Sequence, residues 1–432
     1  MDFFAKKVAN PSVFMENRLD AHAEFETFTD GKTNRILNLD GEWSFSYANN
    51  PAGETEGFEA ESFDHTSWKT IKVPGHIQLQ GYDRPHYTNT AYPWDGREAL
   101  GRGWTPEEFN PVAEYIKVFD IPKKLVGSRM RLSFQGVESC ALVWLNGEYV
   151  GYFENSFDPA EFEITDLIKR GKNKLAVRVY KWCSGSWCED QDFFRFSGIY
   201  RSVYIYSVPD VHLEDIRIRA LPDEEFKDGT LEVRLNVSNP GSVRFLLTEE
   251  AEEEGEEDRV VYDSGEHPVG HETEKADLYT MKIDSVKLWS AEKPNLYKLG
   301  VYLKDPSGKK EEYSSFNVGF RRFELKDGLM LINGKRIVFK GVNRHEFSSD
   351  KGRRVSDEEL LTDILTMKKN NINAIRTSHY PDDVRIYDLC DKYGLYMIAE
   401  NNMETHGTWQ MYDPMGYLAE KHPKGEKPYG FD

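Results

Sequence analysis

The chain has 432 residues and a mass of 50.0 kDa, which suits about three domains at ~100–200 residues each and allows a sizeable core. It carries 74 acidic against 55 basic residues, a formal net charge of -19, which repels nucleic-acid phosphates and anionic membrane surfaces and leaves neutral small molecules as the expected ligands. No run of about 18 apolar residues occurs, and the opening MDFFAKKVANPSVF has no continuous apolar stretch after its charges, so neither a membrane span nor a signal peptide is expected.

After an N-terminal extension (1–37), residues 38–208 read as an all-β sandwich. Short strands alternate with period two, as in Met130, Leu132, Phe134 and again Leu175, Val177, Val179. Asn146-Gly147 between ALVWL and EYVGYF is a two-residue hairpin signal, because both turn positions need positive φ. Residues 209–320 repeat the pattern with Leu231, Val233, Leu235, Val237 and the closing strand LYKLGVYL, a size that suits an immunoglobulin-like sandwich. The acidic run from Glu249 to Asp258 reads as a solvated hairpin loop.

From 321 to 432 the order changes to strand-helix-strand. Asn333-Gly334 makes another hairpin, and RIVFKGV is a continuous apolar run of the kind buried on both faces in a parallel sheet. A helix follows from Ser356, where Ser356 and Glu359 form a capping box ahead of an apolar stripe. NAIRT is the second strand, Asp383 to Tyr393 the second helix, stopped by Gly394, and LYMIA the third strand. An eight-fold barrel needs ~250 residues, so only its start is expected within this sequence.

Each of the three strands ends in a polar cluster, GVNRHE, NAIRTSHYPDD and AENNMETHG, as active-site residues do at the ends of parallel barrel strands. His345 and His379 end the first two, facing the barrel mouth, with Arg344, Glu346 and Arg376 as supporting ion-pair formers beneath them. Glu404 and His406 are two apart, so extended backbone projects both to one side as a workable pair for one cation, although two ligands do not by themselves make a site. The cysteines, Cys140, Cys183, Cys188 and Cys390, show no CxxC spacing and read as reduced thiols of a cytoplasmic protein.

Taken with YTNTAYPWDG (87–96) and CEDQDFFRFSGIYR (188–201), the motifs GVNRHE (341–346), RTSHYPDD (376–383) and NNMETHG (401–407) give the chain a resemblance to the N-terminal portion of glycoside hydrolase family 2 β-galactosidases. The resemblance implies a jelly-roll sugar-binding-like domain, an immunoglobulin-like sandwich and the start of an incomplete (β/α)8 TIM barrel. It implies Mg²⁺ on Glu404 and His406, an Asp192 that touches both galactose and Na⁺, and sugar contacts from Asn89, His345 and His379. For Asp192 the plainer alternative is a loop carboxylate paired with Arg195 or Arg201. The expected activity is retaining hydrolysis of terminal β-galactosides such as lactose, with β-glucuronidase, β-mannosidase and a non-catalytic galactoside-binding module as alternatives. The nucleophile and acid/base of the family lie after later barrel strands, so no catalytic carboxylate is assigned here and little activity is expected of this chain alone. A homo-oligomer or a complementing C-terminal chain are the partners this implies. One departure from the family pattern is Ala399, where an aspartate commonly stands, which puts the pairing of Arg376 in question.

Overall fold

A computed structural model describes residues 3–29, 33–89, 91–94, 98, 100, 105–125, 128–251, 257–270, 276–308 and 311–405. The first domain is a sandwich of a seven-stranded and a four-stranded antiparallel sheet. The larger sheet runs in the order Met15–Glu16, Glu148–Glu154, Cys140–Leu145, Lys172–Tyr180, Val112–Asp120, Gly41–Ala48, Lys69–Val73. The smaller runs Ala160–Glu163, Arg129–Phe134, Val203–Val208, Ile36–Asn38. Alternation drives the packing as the sequence predicts: Met130, Leu132 and Phe134 face Leu175, Val177 and Val179 across one core. The opposite face of strand Lys172–Tyr180 is buried too, because Ala176 and Tyr180 lie in a second cluster with Phe4, Val8, Phe58 and Trp144. The Asn146-Gly147 turn has φ of 56 and 88°, and it joins two antiparallel strands whose register shifts once, between Val143 and Trp144.

The second domain packs strands Leu213–Pro222, Gly229–Val237 and Asp277–Ile283 against a six-stranded sheet. Leu231, Val233 and Leu235 meet Val243, Phe245, Leu247 and Leu299 in its core. The N-terminal segment is not a separate extension. Met15–Glu16 adds an edge strand to the first sandwich, pairing Met15 with Phe153. Phe28–Thr29 and Thr33–Asn34 extend the second, Phe28 pairing with Tyr313 and Thr33–Asn34 forming the edge. Of the acidic run, 252–256 lies outside the described residues, while Glu249 at its start pairs with Arg259 and Lys287.

The third part is a parallel three-stranded sheet of β1 (Gly341–Arg344), β2 (Ala374–Thr377) and β3 (Tyr396–Ile398), with helices α1 (Asp357–Lys369) and α2 (Arg385–Tyr393) in the connections. The capping box at α1 forms in both directions: the Glu359 N–H donates to the Ser356 hydroxyl oxygen at 3.3 Å, and the Ser356 N–H donates to the Glu359 carboxylate at 2.8 Å. Gly394 ends α2 at φ 75°. That helix starts two residues later than its sequence pattern suggests, because the turn before it closes with i to i+3 bonds, Ile386 N–H to the Asp383 carbonyl (3.0 Å) and Tyr387 N–H to the Val384 carbonyl (3.2 Å). The run RIVFKGV is not one buried strand. Only its last two residues enter β1, Val338 is 56% exposed, and residues 337–340 are irregular. Among the described residues β1 and β3 each pair with β2 alone.

The sheet-and-helix part is seated on both sandwiches. Lys368 donates to the carbonyls of Ala291 and Gly394 (both 2.8 Å), and the Trp289 indole donates to the Asp391 carbonyl (2.9 Å). On the other side, Arg201 of the first sandwich donates to Glu346 and to the Pro381 carbonyl, both at 2.9 Å.

Candidate active site

Strands His86–Thr88 and Phe193–Arg195 pair antiparallel, with Thr88 opposite Phe193. This two-stranded ribbon leaves the first sandwich and carries Asn89 and Asp192, both exposed, next to each other at its end. Asp192 accepts a hydrogen bond from the Tyr87 hydroxyl. It is not the partner of either arginine weighed for it. Arg195 is spent on Asp190 (2.8 Å), the Glu189 carbonyl (2.8 Å) and Thr88 (3.0 Å), and Arg201 on Glu346. The Asp192 carboxylate is thereby left on the surface.

His345 and His379 follow β1 and β2 and their rings meet edge to face, 5.6 Å apart at 86°. Burial holds the His345 imidazole below its usual pKa, the neighbouring His379 adds to that, and Asp192 pulls the other way. Asp192 therefore lies within electrostatic reach of His345, and the ring contact of His345 ties His379 to the same neighbourhood. His379 is oriented from behind: its Nδ1 lies 2.9 Å from Glu400 and 3.2 Å from Arg376. Arg376 and Glu400 also pair directly. Although burial raises the Glu400 pKa, the bonds from Arg376 and His379 bring it below the usual range. Arg376 thus has a carboxylate partner even with Ala399 at the position in question. Beneath the site Arg344 bridges Asp382 (2.6 Å) and Asp363 (3.0 Å), and Arg201 pairs with Glu346 (2.9 Å), the supporting ion pairs expected there.

Glu404 lies where the third strand end meets the root of the ribbon. Its N–H donates to the Cys188 carbonyl (2.9 Å), and the Asp190 N–H donates to its carbonyl (3.0 Å). His406 lies outside the described residues. Among the described residues no group of three or more His, Cys, Asp or Glu is placed to hold a metal, so Glu404 contributes one carboxylate donor and a Mg²⁺ site is not assembled from them.

Several residues that hold the site together carry no sequence signal of that role. Gln191, buried, donates to Asn402 (2.9 Å) and reaches the His379 carbonyl (3.4 Å). Asn402 in turn donates to Glu189 (2.6 Å), whose pKa burial pushes up to about 7 against the pull of the Ser156 N–H and hydroxyl. Arg353, from the segment between β1 and α1, is 1% exposed. It pairs with Glu138, donates to the Phe194 carbonyl (2.8 Å), donates its backbone N–H to His76 Nε2 (3.0 Å) and sets its guanidinium 4.3 Å from the Phe193 ring centroid. This side chain joins barrel and ribbon alongside the Gln191–Asn402 bond and the Glu404 backbone bonds. Only the sequence distance between Arg353 and the ribbon hid it, since an isolated arginine in a loop has no pattern.

Two sandwiches ahead of parallel strand-helix units, with a sandwich ribbon brought to the strand ends, is the architecture of multidomain glycoside hydrolases. Residues 36–209 match the sugar binding domain of glycosyl hydrolases family 2, 211–321 a further family 2 domain, and 323–427 the family 2 TIM barrel domain. The chain belongs to glycosyl hydrolase family 2. It is 47% identical over 414 residues to a β-galactosidase of Halalkalibacterium halodurans, covering 92% of this chain and 39% of that protein. It is 39% identical over 419 residues to a β-galactosidase large subunit of Leuconostoc lactis, covering 93% and 66%. The crystal structure of a Bacteroides uniformis β-glucuronidase superposes with a TM-score of 0.69 at 22% identity, over 85% of this chain and 42% of that one, a likeness of fold. The chain thus spans about two fifths of the length of the H. halodurans relative.

Proposed function

We propose that the chain supplies the galactoside-recognising part of a β-galactosidase, an enzyme that cleaves terminal β-galactosides. What supports this is the edge-to-face contact of His345 and His379 at the barrel strand ends, with the ribbon's Asp192 within electrostatic reach of His345. A sugar ring needs several convergent hydrogen-bonding groups on an open surface. Asp192 offers acceptors; His345, held neutral near pH 7, offers one donor and one acceptor; Asn89 adds an amide beside Asp192. The Arg376–Glu400 pair fixes the rotation of the His379 ring, so its Nε2 is presented in one direction. The name borne by the relatives, β-galactosidase, supports galactose over glucuronic acid.

Retaining cleavage needs two carboxyl groups ~5–5.5 Å apart. Glu400 does not suit the part, because Arg376 and His379 occupy its two oxygens and hold it ionised. Hydrolysis is therefore proposed for an assembly with a complementing polypeptide, a partner suggested by relatives named as large subunits. The buried free thiols Cys140 and Cys183 suit a reducing cytoplasm. Mg²⁺ on Glu404 with His406, and Na⁺ at Asp192, stay in this proposal on donor chemistry alone.

The test is titration of the purified chain with methyl β-galactoside, followed by NMR, alongside hydrolysis of a chromogenic β-galactoside with and without Mg²⁺. Saturable binding weakened at least about tenfold by Asp192→Ala, the loss of roughly one charge-assisted hydrogen bond, is the expected result. Absence of galactoside binding, or equal binding of methyl β-glucuronide, would overturn the reading.

A further inference from the structure

Between strands Met15–Glu16 and Phe28–Thr29, residues 22–27 form a strap across the outer face of the four-stranded sheet. His22 ties the strap to Glu161 of that sheet (2.9 Å), and the Ala23 N–H ties it to the Asp215 carboxylate of the second sandwich (2.9 Å). Strap, sheet and the start of α2 enclose a cavity of about 280 Å³, where all three parts of the molecule meet.

The cations in its wall are committed. His22 bonds Glu161, Arg131 pairs with Glu214 (2.8 Å), Arg385 pairs with Asp383 (2.7 Å) and Asp357, and Arg35 lies within electrostatic reach of the buried Glu312. Two carboxylates of the strap are not, since neither Glu24 nor Glu26 makes a hydrogen bond or ion pair with a described residue. Glu24 is exposed, yet the atoms crowded around it push its pKa up to about 7; Glu161, Asp383 and Glu26 add to that push and His22 opposes it. A carboxylate that is accessible and crowded at once sits on a cavity wall, and its ionised form gains from a cation placed beside it.

Aromatic rings make up the rest of the wall: Phe25 from the strap, and Tyr204 and Tyr206 from the sheet, whose rings lie 6.1 Å apart. Aromatic faces attract cations, most of all weakly hydrated ones. The volume is several times the ~30 Å³ share of one water, more than a bare ion needs. A metal ion would also call for several oxygen ligands at fixed distances, and among the described residues no group of three or more His, Cys, Asp or Glu is placed to hold one.

We infer that this cavity binds a small organic ammonium ion, its charge beside Glu24 and its alkyl groups against Phe25, Tyr204 and Tyr206. None of these residues is among the sugar contacts proposed above. A ligand seated there touches strap, first sandwich and barrel together, so its binding stabilises the folded chain.

Choline is the probe, titrated into the purified chain by NMR and by thermal midpoint, beside its uncharged isostere 3,3-dimethylbutan-1-ol and sodium chloride of equal ionic strength. Choline shifts the signals saturably with a Kd below about 10 mM and raises the midpoint, and the alcohol binds at least about tenfold more weakly. Glu24→Gln weakens choline at least about tenfold, the loss of one nearby charge in a crowded site, and Tyr204→Leu about threefold, the loss of one aromatic face. A midpoint for Glu24→Gln without choline that matches the wild type shows that the variant folds. Equal binding of choline and the alcohol by the wild-type chain, which needs no variant, overturns the proposal. So do the absence of saturable binding, equal choline affinity of wild type and Glu24→Gln, and a midpoint rise that sodium chloride reproduces.

Discussion

Arg353 is where a single substitution has the clearest consequence. Arg353→Met keeps most of the side chain's apolar volume and removes its charge. Glu138, itself buried, then loses its guanidinium partner, and breaking a buried ion pair from one side costs about 3–5 kcal/mol. The Phe194 carbonyl loses a donor, about 1 kcal/mol, and the Phe193 and Phe196 rings lose a cation over their faces, about 0.5–2 kcal/mol. These losses share one group and do not add, so about 3–5 kcal/mol in total is expected. Urea unfolding followed by tryptophan fluorescence measures it. Adding Glu138→Gln to Arg353→Met removes the stranded charge and should recover about 1–3 kcal/mol, which no simple loss of packing would do. A loss under about 1 kcal/mol in the single variant, or a double variant as unstable as the two singles summed, would refute the idea that this pair joins the first domain to the barrel.

Three further outcomes follow from the same reasoning. Glu189 has a folded pKa of about 7, above its ordinary 4.5, so the folded state holds the proton more tightly. Its stabilising effect is complete below pH 4.5 and is lost as pH rises to about 7; thermal midpoints from pH 4.5 to 8 should fall less steeply for Glu189→Gln than for the wild type. His22 is shifted the same way by a different cause. Despite burial, its bond to Glu161 at 2.9 Å raises its pKa to about 9, so stability is full below 6.5 and lost as pH rises through 9, and His22→Gln should flatten the melting curve between pH 7 and 9. Gly394→Ala would place a Cβ at positive φ and 2.5 Å from the Ala291 carbonyl oxygen; a loss above about 1 kcal/mol in urea unfolding is expected, and an unchanged midpoint would count against the docking of α2 on the second sandwich.

What the sequence discloses is local. The Asn-Gly turns, the Ser356–Glu359 box and the Gly394 stop each lie within a few residues of what they control, and all three form. The alternating strands were legible because burial on one face leaves a period of two. RIVFKGV misleads for the converse reason: an apolar run says nothing about which flank a neighbour will cover, and Val338 stays exposed. The histidines could be placed at strand ends, but not the group that orients one of them, since Glu400 meets His379 only when β2 and β3 pair. Two-residue strands such as Met15–Glu16 have no period at all; they exist because a distant edge accepts them.

Those edge strands also bear on the order of assembly. Phe28 cannot find its place until Tyr313 has been made, nor Met15 until Phe153. A growing chain folds domain by domain, yet here Met15–Glu16 waits for the first sandwich and Phe28–Thr29 for the second to receive it. Until then each sandwich has an open edge, and contacts of this sequence separation form slowly. The early residues thus act as a closing seam, and a nascent chain held before residue 313 should expose the second sandwich to chaperones or to a neighbouring copy.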